Sequence, residues 1–257
     1  MIIDFYGKGE RERVCAELLG KIELGSEFSR IALLPIPTSR DKVHISETDI
    51  PLAEFIRDTS PDTFVAGYGI PDGARELLLS RGISYFDAAE DKEFILENAY
   101  LTALGALSYL LESEKAEPRE LNIGIIGFGR IGSALLRLLL FLGASVTVYT
   151  GSDKTALSLG ELGIRTKKLC EAEIGNAAAD GVKIIFNTAP CELSGAFPEG
   201  MLPPGQRVIE LASGNNFDGV FGVEYLPGVP GRAFPHSAAR AYFRAITGAL
   251  KRSFEKD

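Results

Sequence analysis

The strongest constraint on this chain is the stretch Leu121-Asn122-Ile123-Gly124-Ile125-Ile126-Gly127-Phe128-Gly129-Arg130-Ile131-Gly132. Its apolar run predicts a buried parallel strand that breaks into Gly127-x-Gly129-x-x-Gly132. Residues 133–142 then predict a helix closed by Gly143, and residues 145–150 a second strand. Strand, glycine turn, helix and strand in this order are the context in which three spaced glycines bind a dinucleotide. The first glycine permits the tight turn. The second lets a pyrophosphate approach the backbone, and the third lets helix and strand pack closely. The helix N-terminus offers unclaimed N–H groups and a partial positive charge to the phosphates. Gly127, Phe128, Gly129, Arg130, Ile131 and Gly132 are therefore candidate cofactor contacts, with Arg130 beside the pyrophosphate.

On either side of this unit, strand and helix patterns alternate. Before it, strands are predicted at residues 2–6, 30–34, 63–66 and 83–86, with helices at 9–19, 51–57 and 72–80. Such alternation implies a parallel sheet covered on both faces, here a small flavodoxin-like domain. A long apolar-faced helix is predicted at 91–114, and the charged, proline-ended segment 112–120 reads as a linker. After it, helices are predicted at 156–162 and 170–176, and strands at 164–166, 183–188 and 207–213. Residues 214–235 are rich in glycine and proline and are expected to be irregular. The expected architecture is α/β: a first domain over residues 1–115 and a Rossmann-type doubly wound parallel sheet over 116–236. A final helix at 237–257 is able to return to the first domain.

Composition narrows the function classes. The net charge of −8 opposes nucleic-acid binding, which needs a basic face. Cys15, Cys170 and Cys191 form no C-x-x-C, and the chain holds only two histidines, so neither a disulfide framework nor a metal site is expected. The chain starts on a strand rather than a signal peptide, and no uninterrupted apolar run reaches the about 18 residues of a membrane span. A cytoplasmic protein without membrane attachment is expected.

The cofactor-side residues point further. At the end of the second strand, where an acid would select NAD, stand Thr150, Gly151, Ser152, Asp153 and Lys154. Thr150, Ser152 and Lys154 suit a 2′-phosphate, which favours NADP, while Asp153 keeps NAD open. Asn187-Thr188-Ala189-Pro190 and Leu211-Ala212-Ser213 end two later strands, where doubly wound sheets bind ligands, and are candidate nicotinamide-side loops.

Several segments together resemble the dipicolinate synthase A-subunit family: Gly127 to Gly132, Phe186-Asn-Thr-Ala-Pro190, Val208-Ile-Glu-Leu-Ala-Ser213 and Leu226-Pro-Gly-Val-Pro-Gly231-Arg-Ala-Phe-Pro-His-Ser-Ala238. Residues 97–106 are similar to that family's interdomain helix. The resemblance implies a two-domain nicotinamide-dependent oxidoreductase that uses NADP and has a flavoprotein companion. The chain departs from the family at Leu104, at His236-Ser237 and at Gly214-Asn215-Asn216-Phe217, where the family commonly carries Glu, Lys-Thr and Lys-Pro-Gly-Gly. These departures point to a different substrate; the alternative is a non-catalytic nucleotide-binding sensor protein. Pro235-His236-Ser237-Ala238 also resembles the segment that carries the catalytic histidine of D-2-hydroxyacid dehydrogenases. His236 and Ser237 are the candidate catalytic groups; a histidine can move the proton that accompanies hydride transfer. Candidate contacts to a small carboxylate substrate are Thr38, Ser39 and Arg40, beside Gly67-Tyr68-Gly69, and Asn98 and Thr102 on the long helix. His44 reads as a surface residue. A homo-oligomer, a dimer in the simplest case, is expected.

Overall fold

The computed structural model describes residues 1–22 and 28–254. The chain forms two compact units, Met1–Asn98 with Pro230–Asp257, and Ala99–Val229.

In the first unit, β1 (Ile2–Phe5), β2 (Arg30–Leu33), β3 (Thr63–Gly67) and β4 (Tyr85–Asp87) make one parallel sheet in chain order. Its helices are α1 (Glu10–Leu19), α2 (Leu52–Asp58) and α3 (Asp72–Ser80). The period of two along β2 decides which helix covers which face. Ile31 and Leu33 pack with Val14, Cys15 and Leu19 of α1, whereas Ala32 and Leu34 pack with Phe55 and Ile56 of α2 and Leu78 of α3. The final helix, α9 (Pro235–Phe254), belongs to this unit: Ala239, Tyr242 and Ile246 are buried in the cluster that holds α1. Residues 255–257 lie outside the described residues.

The second unit holds β5 (Asn122–Ile126), α5 (Arg130–Phe141), β6 (Ser145–Thr150), α6 (Asp153–Glu161), β7 (Arg165–Lys168), α7 (Glu171–Gly175), β8 (Ile184–Asn187), β9 (Arg207–Glu210) and β10 (Glu224–Tyr225). Its six strands are parallel, in the order β10-β9-β8-β5-β6-β7. The chain winds outward from β5 through β6 to β7, then returns to the other side of β5 for β8. That reversal makes a topological switch point between β5 and β8, where the crevice of a doubly wound sheet opens. Ile123 and Ile125 pack with Leu135, Leu136 and Leu139 of α5 on one face; Ile126, Tyr149 and Ile185 pack with Ile174 of α7 on the other. The structure is thus a Rossmann-type doubly wound sheet plus a smaller α/β unit whose parallel strands lie in chain order.

Three expectations need correction. The unit boundary falls inside α4 (Lys92–Ser113), not in the 112–120 linker. Phe94 is buried in the first unit's core, but Ala103, Ala106, Leu107 and Leu110 are buried in the second's, so one helix serves both. The predicted strand at 207–213 stops at Glu210. The segment 214–235 is not wholly irregular: it contains β10 and the short helix α8 (Val229–Ala233). Helix α4 is also long and apolar enough to meet a simple length test for a membrane span; half of that window is buried within the protein, as in a core helix.

Candidate dinucleotide site

Each glycine of the turn has its own surroundings. Gly127 has φ +85°, and a Cβ there would lie 2.9 Å from Ala189 Cβ. A Cβ on Gly132 would lie 2.4 Å from the Gly127 carbonyl oxygen, so helix and turn touch there. A Cβ on Gly129 would meet nothing within 4 Å. The protein's own packing therefore accounts for the first and third glycines but not for the second. Gly129 is the N-cap of α5, and no side chain caps that helix end. The helix consequently starts at Arg130, directly on the turn, rather than at 133. Open space in front of uncapped N–H groups fits a pyrophosphate. The backbone of Gly129, Arg130 and Ile131 would hold it. Arg130 is exposed, whereas Phe128 packs partly against the core beneath the turn.

Three expected cofactor contacts are committed to the protein itself. The Thr188 hydroxyl donates to the Ile126 carbonyl, 2.9 Å away, and so braces the turn instead of reaching outward. Thr150 is buried, and its Oγ1 accepts the Ser152 N–H at 3.2 Å. Ser152 is the N-cap of α6, its Oγ accepting the Thr155 N–H. Of the predicted 2′-phosphate group, Gly151 and Lys154 remain exposed and uncommitted by these bonds. Lys154 lies on the wall of a cavity of about 420 Å³ between α5 and α6, together with Phe128 and Arg137. Arg137, a cation absent from the sequence-based candidates, is on helix α5, five residues beyond Gly132.

The two loops expected on the nicotinamide side meet at a residue that the sequence pattern did not single out. Glu210 ends β9 and lies in register with Asn187 at the end of β8. It is 2% exposed. The Asn187 amide donates to both carboxylate oxygens, at 3.1 and 2.9 Å, and the Asn216 amide donates to one at 3.1 Å. The Ala212 N–H donates to the other at 2.7 Å. Burial pushes the Glu210 carboxyl above the ordinary glutamate range, opposed by these donors. Asn187 also grips its own loop, donating to the Ala189 carbonyl and accepting the Ala189 N–H, each at 3.1 Å. The Leu211 N–H in turn donates to the Asn187 carbonyl. Pro190 is exposed and Ser213 is exposed at the loop tips. The available signal was a lone charge inside the apolar run Val208-Ile209-Glu210-Leu211.

The substrate-side candidates lie apart in character. Thr38 is wholly buried, its Oγ1 accepting the Tyr68 N–H at 2.8 Å, which corrects the expectation that it faces a ligand. Ser39 donates to Asp41, while Arg40 is exposed and, among the described residues, in no ion pair. Ser39, Arg40 and Lys42 line a cavity of about 700 Å³ in the first unit, which also receives the start of α3. Asn98 and Thr102 share α4 but fall to different units. His236, at the start of α9, is 64% exposed, with Nε2 3.8 Å from Glu10. Ser237 accepts from Arg240 one turn on, at 3.2 Å. His44 pairs with Asp41 at 2.7 Å on an exposed loop. Among the described residues, no group of three His, Cys, Asp or Glu could hold a metal ion.

No protein-family model and no curated protein matches this chain. Solved structures do. The A-subunit of dipicolinate synthase from Bacillus halodurans superposes with a TM-score of 0.75 at 19% identity, over 96% of this chain and 97% of that one. Its counterpart from Bacillus subtilis gives 0.77 at 16% identity, over 100% and 98%. The NAD-complexed D-isomer-specific 2-hydroxyacid dehydrogenase from Lactobacillus delbrueckii ssp. bulgaricus gives 0.51 at 11% identity, over 99% and 97%. At these identities the likeness concerns the fold: the chain has the two-unit α/β fold of the dipicolinate synthase A-subunit family and, more distantly, of nicotinamide-dependent dehydrogenases.

Proposed function

We propose that the chain is an NAD(P)-dependent oxidoreductase similar to the dipicolinate synthase A-subunit, working on a small cyclic or hydroxy acid. The observation that carries this reading is the open space at Gly129, in front of an uncapped helix that the fold itself does not fill. A bound nicotinamide ring supplies or accepts hydride. The chain's part is to hold the pyrophosphate on the Gly129–Ile131 backbone and to fix the Asn187–Pro190 and Leu211–Ser213 loops through Glu210. Lys154 and Arg137 supply cations for a 2′-phosphate, which supports NADP. Arg40 and Lys42 suit a substrate carboxylate, since an anion needs cationic partners.

Gly129→Val tests the reading. It should fold normally, because a Cβ there meets no protein atom within 4 Å, yet lose dinucleotide binding by about 100-fold or more, the cost of blocking the backbone's approach to pyrophosphate. Unchanged NADP and NAD titrations would sink the proposal.

The second reading is a non-catalytic nucleotide-binding sensor protein. It is favoured by His236, which is exposed and whose ion-pair partner among the described residues is Glu10. If the chain is a dehydrogenase using this histidine, His236→Ala should lose roughly 10²- to 10⁴-fold in turnover while keeping cofactor affinity. The assay follows nicotinamide absorbance with dihydrodipicolinate-type precursors and a panel of 2-hydroxy acids. Activity that survives in the variant removes the histidine from the mechanism, and no turnover by the unaltered protein favours the sensor.

A further inference from the structure

Glu210 is a buried carboxylate that, among the described residues, has no counter-ion within ion-pair distance. Its hydrogen-bond partners are all neutral donors: the amides of Asn187 and Asn216 and the backbone N–H of Ala212. A protonated carboxyl needs an acceptor for its proton, and these partners offer only N–H groups, so the arrangement accommodates the ionised form. Among the described residues no lysine, arginine or histidine stands within ion-pair distance of it. Burying a charge in this way is expensive, and a neutral side chain of similar shape would cost less. The charge also has a defined place. It sits at the carboxyl end of β9, next to the end of β8, where a doubly wound sheet holds its ligand. Asn187 ties it to Ala189, and Ala189 is the residue against which the Gly127 turn closes.

We propose that Glu210 sets the redox preference of the site: its negative charge, with no cation in ion-pair contact among the described residues, favours the positively charged oxidised nicotinamide over the neutral reduced ring. This rests on the dinucleotide reading above, with the ring beside the Asn187 and Leu211 loops. The oxidised ring supplies the missing positive charge, and its reduction removes it. In functional terms the charge opposes accumulation of the reduced cofactor on the protein and lowers the reduction potential of the bound couple.

The test is direct binding, not turnover. Dissociation constants of NADP⁺ and NADPH are measured for the unaltered protein, Glu210→Gln and Glu210→Asp, with 2′-phospho-ADP-ribose as a ligand that lacks the ring. Glu210→Gln should weaken NADP⁺ relative to NADPH by roughly tenfold, the scale of one unit charge acting across a partly screened site. Affinity for the ring-free ligand should stay constant, and Glu210→Asp, which keeps the charge, should keep the original ratio. Equal weakening of NADP⁺ and NADPH in Glu210→Gln would show a purely structural role and overturn the inference alone. Should Glu210→Gln fail to fold, the unaltered protein decides: it should bind NADP⁺ at least as tightly as NADPH, and a preference for NADPH overturns the inference. If none of the three ligands, nor NAD in either redox state, binds the unaltered protein, the dinucleotide reading falls and takes this inference with it.

Discussion

The loops at the carboxyl ends of the two sheets are built from similar material and are used differently. In the first sheet, the protein's own side chains claim the backbone donors. Asp87 accepts the N–H groups of Gly69, Ile70 and Ala89 at 2.7, 2.8 and 2.9 Å, and Arg75 closes on it at 2.6 Å. Thr38 accepts the N–H of Tyr68. In the second sheet the order of strands reverses at β5, and the donors at the start of α5 have no side-chain cap. A strand-end loop whose backbone donors are answered from within has none to offer a ligand. One that leaves them unanswered, with open space in front, is prepared for a ligand.

The sharpest way to break this contrast lies within the glycine turn itself. Gly132→Val should cost about 4 kcal/mol of stability, because the added carbon would overlap a backbone oxygen that cannot step aside. Thermal melting of this variant beside Gly129→Val, which should melt as the unaltered protein does, checks it. Similar melting of the two would mean that both glycines serve the fold. Next in size is Asp87→Ala, which strips three N–H groups and an arginine of their acceptor and should cost about 3 kcal/mol. Denaturation should show the loss while dinucleotide affinity at the second unit is unchanged; weakened binding would mean that the first sheet's loops also act on the dinucleotide.

Thr150→Asp sharpens the cofactor side. A carboxylate at the end of β6 should repel a 2′-phosphate and shift the ratio of NADP to NAD affinity toward NAD by about tenfold, or about 1.4 kcal/mol. A ratio that does not move places the ribose elsewhere. The smallest effect separates two glutamates on neighbouring strands. Arg207 and Tyr109 hold the Glu224 carboxyl below the usual range, in contacts of 2.8 and 2.7 Å to Arg207 and 2.7 Å to Tyr109. A depressed carboxyl contributes stability that is present above its unfolded pKa and lost as pH falls through the folded one. Glu210, shifted upward by burial, acts in the opposite sense: its contribution is lost as pH rises from the unfolded to the folded pKa. Urea denaturation between about pH 3 and pH 7 should therefore show a flatter acid limb in Glu224→Gln, whereas Glu210→Gln should gain relative stability toward neutral pH. Parallel profiles for the two variants would mean that the carboxyls share one environment.

Much of this was legible in the chain, and the parts that were not share a cause. Apolar runs at 123–126, 146–149 and 184–186 announced buried parallel strands, because a strand covered on both faces has no polar side to show. Gly127, Gly129 and Gly132 announced a turn suited to binding, since their spacing and setting reflect local backbone demands. Thr38, Thr150 and Thr188 misled, because a threonine that contacts a ligand and one that braces a neighbouring loop look the same in sequence. Only the fold brings Tyr68, Ser152 and Ile126 to their hydroxyls. The boundary inside α4 escaped for a related reason: an apolar face does not say which core will cover each turn of the helix.

The features written along the chain are therefore local in origin: the strands and helices, the glycine turn and the parallel α/β class, each specified within a few residues by periodicity and backbone freedom. Packing alone closed α9 on α1 and enclosed Glu210 between Asn187 and Asn216 without a cation. Burial and charge pairing are sums over neighbours that arrive from distant parts of the chain, and no spacing along it records them.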